Sequence, residues 1–279
     1  MAVYRLAYNG DVVVHHYMRD GTLTITFLGT GTSMGVPVIR CKCEVCQSKD
    51  PRDHRLRSSI YVQTEHCSWV VDTGAEFRIQ ALRANIQKLD AVLYTHSHAD
   101  HVMGFDDLRR FGSTNSGRIP IYASKDTMQN LHRTFFYAFN VERPFSGYVH
   151  PEPHLVDGPF SLGSTEIHPI PVEHGRAHVL GFLFRQNGRS LAAYLSDCKT
   201  VYPEGLECLE GVETLILGTP CRRPHPAHMS LAEGLALAER LSPQQTFFTH
   251  LSHDFGHAAT QKELPHNISL AYDGLRLDL

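Results

Sequence analysis

Apolar and polar residues alternate through TLTITFLGT (22–30) and stop at glycine, the period of a strand with one buried face. SSIYVQTE and SWVVDTG read as two further strands, joined by a turn near His66 and Cys67. The spacing of Phe77, Leu82 and Ile86 predicts a helix over 75–87. LDAVLYTH is a buried strand, and 100–111 reads as helical. A strand over 119–123 leads into a helix over 125–139, with Ser124 as N-cap and Met128, Leu131, Phe135 and Phe139 as its apolar stripe. The proline-rich VERPFSGYVHPEPH is read as a loop, a lid or pocket wall within 140–154. Strands are predicted again at 160–162, 165–171, 181–185, 190–195 and 214–217, then a helix over 231–241 and short strands at 246–249 and 276–278. Strands in two blocks, each punctuated by helices, predict an α/β chain of two sheets packed face to face with helices outside.

Composition changes this picture little. The chain has 279 residues, 42% hydrophobic and 20% charged, as expected for one ordinary globular domain. We place that domain at 22–279, with a cysteine-rich loop at 29–57. Residues 1–21 form a poorly defined leader, a short extra strand or a disordered tail, with Met18 an alternative start. Its apolar run, 12–14, is too short for a signal peptide, and no stretch approaches a membrane span. A cytoplasmic location is expected, with no membrane partner. The net charge of −3 and the lack of a Lys/Arg run disfavour nucleic acid. A homodimer is left open.

The candidate chemistry lies in cysteine and histidine. LGTGTSMGVPVIRCKCEVCQ places Cys41, Cys43 and Cys46 within six residues, whereas a structural zinc takes four ligands. Either the fourth lies elsewhere, or the site is of another kind. Seven cysteines are an odd number, which favours metal binding over disulfides. Segment 29–57 is also long for a loop without a ligand or a function. Cys67, Cys208 and Cys221 are given no role, and Cys198 is expected to pack away from its neighbour Asp197.

YTHSHADH follows the buried strand directly. There His96 and His98 can converge on one metal, while Asp100 and His101 face the space of a second. Three other strands end in a ligand type: IHPIPVEH in His174, SLAAYLSD in Asp197 and QTFFTH in His250. Together these are five His and two Asp, enough for two divalent ions, zinc, manganese or iron, with a bridging carboxylate. Ser230-x-x-Glu233 is a capping box, so His228 lies just before a helix N-terminus, which favours a neutral imidazole and attracts anions. His225 reads as solvated.

The set FLGTG, VVDTG, THSHADH, VEH, LSD and THLSH resembles the metallo-β-lactamase-fold hydrolase superfamily from residue 22 to the C-terminus. The resemblance implies a four-layer αββα sandwich. It also implies a first metal on His96, His98 and His174, a second on Asp100, His101 and His250, and Asp197 as the bridge. Asp72 would orient a ligand from behind. Retention of the bridging aspartate points to phosphodiesterase branches. LGTG…GVP followed by Cys-x-Cys-x-x-Cys is similar to the PhnP group, phosphoribosyl 1,2-cyclic phosphate phosphodiesterases. That group's fourth zinc ligand corresponds to His253, and its catalytic histidine to His228. His253 lies three residues from His250, within about 10 Å along any chain path, so the two sites can share one loop. In the PhnP-like Tyr272-Asp273-Gly274, Asp273 is expected to be a minor pocket element.

The function expected is hydrolysis of a small phosphodiester, such as a ribosyl cyclic phosphate, by a metal-bridging hydroxide. Asp100 and His228 are its catalytic groups, the dinuclear site holds two divalent ions, and one structural zinc holds the loop. The alternatives are a tRNase Z-like endonuclease, whose tRNA-grasping arm is missing here, and a non-catalytic zinc-stapled binding module. Against the module stands the complete ligand set.

Overall fold

The computed structural model describes residues 22–112, 117–140 and 147–279, together with the backbone of two short paired strands, β1 (Ala7–Tyr8) and β2 (Asp11–Val12). The remaining leader residues and part of the 140–154 loop lie outside the described residues.

The first sheet contains β3 (Thr24–Gly29), β4 (Ser59–Gln63), β5 (Ser68–Val71), β6 (Ala91–Leu93), β7 (Ile119–Ala123), β8 (Pro151–Leu155) and β17 (Arg276–Asp278), in the order β17-β3-β4-β5-β6-β7-β8. The second contains β9 (Phe160–Leu162), β10 (Thr165–His174), β11 (Ala177–Gln186), β12 (Arg189–Leu195), β13 (Thr200–Val201), β14 (Thr214–Gly218), β15 (Gln245–Thr249) and β16 (Ile268–Leu270). Its order is β13-β10-β11-β12-β14-β15-β16, with β9 beside β10.

Strand alternation sorts the core into three layers. Ile25, Phe27, Trp69, Val71, Ala91 and Leu93 face Phe182, Phe184, Ala192, Tyr194 and Ile216 between the sheets. Trp69 meets Phe184 across the gap, with ring centroids 5.8 Å apart. The alternate residues on these strands face outward: Val70 and Val92 lie under α1 (Phe77–Arg83) and α3 (Lys125–Thr134). Ala193 and Leu195 lie under α4 (Pro203–Cys208) and α5 (Leu231–Leu241). Helices thus cover both outer faces, giving the expected αββα sandwich.

Several boundaries differ from expectation, each for a local reason. The helix expected over 75–87 is α1 alone, closed by Asn85 at φ 49°. Its buried face carries Phe77 and Gln80, while Leu82 is 66% exposed. Gln80 is buried because its Nε2 donates to the Arg57 carbonyl at 2.8 Å. The 100–111 helix is broken into α2 (Ala99–Val102) and a 3-10 turn, Phe105–Arg110. At the break, Gly104 presses on the VVDTG turn, where a Cβ would stand 2.2 Å from the Gly74 carbonyl. α3 stops at Thr134, and Phe135 and Phe139 then turn onto Phe105, 4.5 and 5.8 Å between centroids.

The expected strand 165–171, which already holds Pro169 and Pro171, runs on to His174. On the side away from β11, β9 pairs with 165–167 and β13 with 172–173, so Pro169 and Pro171 sit where no neighbour needs an N–H. Part of the supposed lid is instead β8, whose prolines are tolerated at a sheet edge. β16, α4 and α6 (His257–Gln261) were not anticipated.

Candidate metal centre

The ends of four strands meet at one rim of the sandwich. β6 releases the chain toward His96 and His98, α2 carries Asp100 and His101, and β10 ends in His174. Asp197 follows β12 and His250 follows β15. Ligand atoms of His96, His98 and His174 lie within 4.8 Å of one another, as do those of Asp100, His101 and His250. Asp197 stands between these groups, its Oδ2 2.9 Å from His101 Nε2 and its Oδ1 3.4 Å from His250 Nε2 and 3.7 Å from His174 Nε2. All seven expected ligands are therefore brought together.

These atoms do not satisfy one another. His96 Nε2, His101 Nε2, Asp197 Oδ2 and both ring nitrogens of His250 are buried without an aligned hydrogen-bond partner. Buried polar atoms normally have partners. Lone pairs that converge without pairing fit cations at this position, so the residue set passes the test for divalent metal.

Asp72 sets two of the tautomers. Its Oδ2 accepts from His101 Nδ1–H at 2.7 Å and from the Thr95 hydroxyl at 2.8 Å; the Thr95 oxygen in turn lies 3.0 Å from His96 Nδ1. Both rings are thereby turned with Nε2 toward the site. The His174 Nδ1 donates to the Ala227 carbonyl at 2.8 Å, which frees its Nε2 likewise. Asp72 and His250 hold left-handed backbones, φ 64° and 55°, a strain on the order of 1–3 kcal/mol each that the surrounding structure sustains.

Protonation follows from burial and charge. Burial pushes His96 and His250 below the usual histidine value. Burial opposes charge on His101 too, but Asp72 and Asp197 outweigh it and hold it well above that value. Burial also opposes ionisation of Asp197, yet His250 and His101 keep it well below the carboxylate range. Asp100 is held low in the same way by His101.

His228 reaches the same cluster. Its Nδ1 is 3.5 Å from Asp197 Oδ1 and has no hydrogen-bond partner. Ser230 caps α5 in the expected box, with Glu233 Oε2 accepting from the Ser230 N–H at 2.8 Å, and so fixes the turn that carries His228. Burial, and then His250, lower His228 to about 3. His225 is exposed, as expected. Beside His98 and His174 opens a cleft of about 550 Å³, also lined by Ser97, Asp126, Asn130 and Arg176. Nothing in the sequence pattern marked Ser97, Asn130 or Thr95, although Thr95 adjoins the histidine motif.

The cysteine loop forms a second cluster. His253 Nδ1 lies 3.2 Å from Cys41 Sγ and 3.5 Å from both Cys43 Sγ and Cys46 Sγ. Tetrahedral zinc with ordinary Zn–S and Zn–N bonds would set these separations at about 3.6 Å. The N–H groups of Val38 and Cys46 point at the sulfurs of Cys46 and Cys43, 3.3 and 3.4 Å away. No cysteine is in a disulfide. Cys198 is fully buried in the core under α4 and α5, facing away from the site as expected.

Asp273 departs from expectation. It is no pocket element: Thr30 Oγ1 donates to its Oδ1 at 2.8 Å and the Leu56 N–H to its Oδ2 at 2.9 Å, so it braces the two ends of the loop. Arg55, which no pattern singled out, lies buried beneath the His253 segment.

Residues 68–251 match the family model for the β-lactamase superfamily domain. A solved diphosphatase of the PhnP family is 40% identical, with a TM-score of 0.85, over 92% of this chain and 97% of that one. The chain is a PhnP-like member of the β-lactamase superfamily. Its fold is that of the metallo-β-lactamase hydrolases, which implies divalent metal ions. The short form of human tRNase Z is 18% identical at a TM-score of 0.64, over 91% of this chain and 98% of that one, a likeness of fold alone. A Porphyromonas gingivalis protein called an octanoyltransferase is 34% identical over 261 residues, 89% of this chain and 50% of that one. The PhnP-like chain thus spans half the length of that curated relative. Among its described residues, no helix is long and apolar enough to cross a membrane.

Proposed function

We propose that this PhnP-like hydrolase is a dinuclear-metal phosphodiesterase for small substrates, with one further zinc stapling its cysteine loop. The observation that carries the reading is the convergence of unpartnered buried nitrogens of His96, His101 and His250 on Asp197, with His98, Asp100 and His174 completing two triads. Two divalent cations bound there would lower the pKa of a shared water and offset charge on the phosphate. The rest falls to the chain. Asp72 and Thr95 hold the imidazoles of His101 and His96 in their working tautomers. Asp197 supplies the carboxylate common to both triads, and Asp100 adds a second. His228 offers its ring N–H to the phosphate or to the departing oxygen.

A ribosyl cyclic phosphate is our first substrate candidate. The 40% identical diphosphatase makes a diphosphate the second. Neither the net charge of −3 nor the fold-level likeness to tRNase Z supports a tRNA substrate. Octanoyl transfer would need an acyl-carrying nucleophile. The cysteine nearest in sequence to the cluster, Cys198, is sealed in the outer core, and burial pushes its thiol far up. That activity is better placed in the half of the longer relative that this chain does not span.

The leaving group tests the part played by His228. For a sugar-alkoxide leaving group, His228→Ala is expected to lower kcat by about 10²–10⁴-fold, the usual scale of a lost proton donor. With bis-p-nitrophenyl phosphate, whose leaving group departs unprotonated, the loss should be much smaller. Equal losses on both would assign His228 to holding the phosphate, and no loss on either would remove it from the site.

A further inference from the structure

His250 and His253 stand three residues apart on one loop, yet they belong to two different ligand clusters, so whatever sets the shape of that loop acts on both. We propose that Arg55 is the positioning residue that fixes His250 and His253 relative to each other and so couples the cysteine cluster to the catalytic one; this rests on reading both histidines as metal ligands.

The backbone of Arg55 is locked into the cysteine loop. Its N–H donates to the Val36 carbonyl at 2.7 Å, and its own carbonyl accepts from the Val36 N–H at 2.9 Å. The side chain is fully buried and reaches into the other segment. Its Nη1 donates to the Ser252 carbonyl at 3.2 Å and its Nη2 to the Phe255 carbonyl at 2.7 Å, the two carbonyls on either side of His253. The same Nη2 donates to Asp53 Oδ1 at 3.1 Å, and that oxygen also accepts the His257 N–H at 2.7 Å. Between His250 and His253, the Leu251 N–H donates to the Thr30 carbonyl at 2.7 Å. Residues 251–257 are therefore pinned at four points to the loop that carries the cysteines. Immediately before this span His250 keeps a left-handed backbone, which such restraint must hold in place.

Only a guanidinium meets this need. Three acceptors have to be reached from one buried, charged group, and the planar fork of arginine does so where the ammonium of lysine is a single point. Asp53 supplies the countercharge without which a buried cation would be costly. Arg55 has no hydrogen bond or ion pair with a ligand side chain, so its influence runs through the carbonyls beside His253.

The test uses the full chain with its native metals and measures zinc release to a colorimetric chelator. Release from Arg55→Met is expected to be about 10- to 100-fold faster than from the wild type, the scale seen when a partner behind a metal ligand is lost, with Arg55→Lys and Asp53→Asn between the two. The Mn²⁺ concentration that gives half-maximal turnover of bis-p-nitrophenyl phosphate should rise about tenfold in the same variants, because His250 is displaced as well. Asp273→Asn is the comparator, since Asp273 braces the ends of the loop without touching 251–257. It should lower Tm and leave zinc release unchanged. If Arg55→Met does not fold, Arg55→Lys and Asp53→Asn carry the test. Release at the wild-type rate in the Arg55 and Asp53 variants, or equally fast release from Asp273→Asn, would overturn the proposal while leaving the ligand assignments intact. A wild-type chain with no chelator-resistant zinc would overturn both.

Discussion

Asp197→Ala is expected to reduce phosphodiester turnover by more than about 10³-fold, beyond the loss from deleting a single preorganised donor in other active sites. The reason is position. Its Oδ1 and Oδ2 face His101, His174, His228 and His250 at 2.9 to 3.7 Å, so one carboxylate serves both ligand triads. On the proposed dinuclear reading, removing it would deprive both cations of their shared anion, and both would bind more weakly. The check is metal content and turnover of the purified variant side by side. A variant that kept two exchangeable ions and its full turnover would remove Asp197 from the mechanism.

Cys43→Ser is expected to show the second largest effect, and mainly on stability. Loss of a structural metal belongs with the severe single-residue changes, about 4–5 kcal/mol. In a domain of this size that corresponds to a fall in Tm of roughly 10 °C. Activity should drop as well, by about 10- to 100-fold, because His253 shares its loop with His250. The measurements are thermal unfolding and zinc content on the same sample. An unchanged zinc content with an unchanged Tm would mean that the three sulfurs and His253 hold no zinc.

Much of the site was legible because ligands at strand ends leave a mark that needs no tertiary knowledge: an apolar run that stops at His96, His174, Asp197 or His250. His228 was legible for a different reason, since the Ser230–Glu233 box locates a helix start from four residues. Two face-to-face sheets followed from two blocks of strands punctuated by helices, and the four-layer sandwich from the resemblance carried by the motifs.

What was not legible depends on contacts between distant segments. Gln80 displaces Leu82 from the buried face of α1 only because the Arg57 carbonyl is there to be satisfied. β10 runs beyond the expected 171 to His174, where Val172 and Glu173 find a partner in the distant β13. Arg55 looks like an ordinary surface charge in the sequence and Asp273 like a minor pocket element, yet each is buried by a loop whose course is set by its far ends. No local pattern could assign them.

The most direct test of the central claim is a comparison of kcat/KM across four substrates with Mn²⁺ and with Zn²⁺: ribosyl 1,2-cyclic phosphate, a dinucleoside diphosphate, a linear dinucleotide and pre-tRNA. Metal-dependent turnover of a small phosphodiester or diphosphate, at least about 100-fold more efficient than that of pre-tRNA, is the result expected, a preference of about 2.7 kcal/mol in transition-state binding. Preferential cleavage of pre-tRNA, or no turnover of any phosphodiester or diphosphate with either metal, would contradict it.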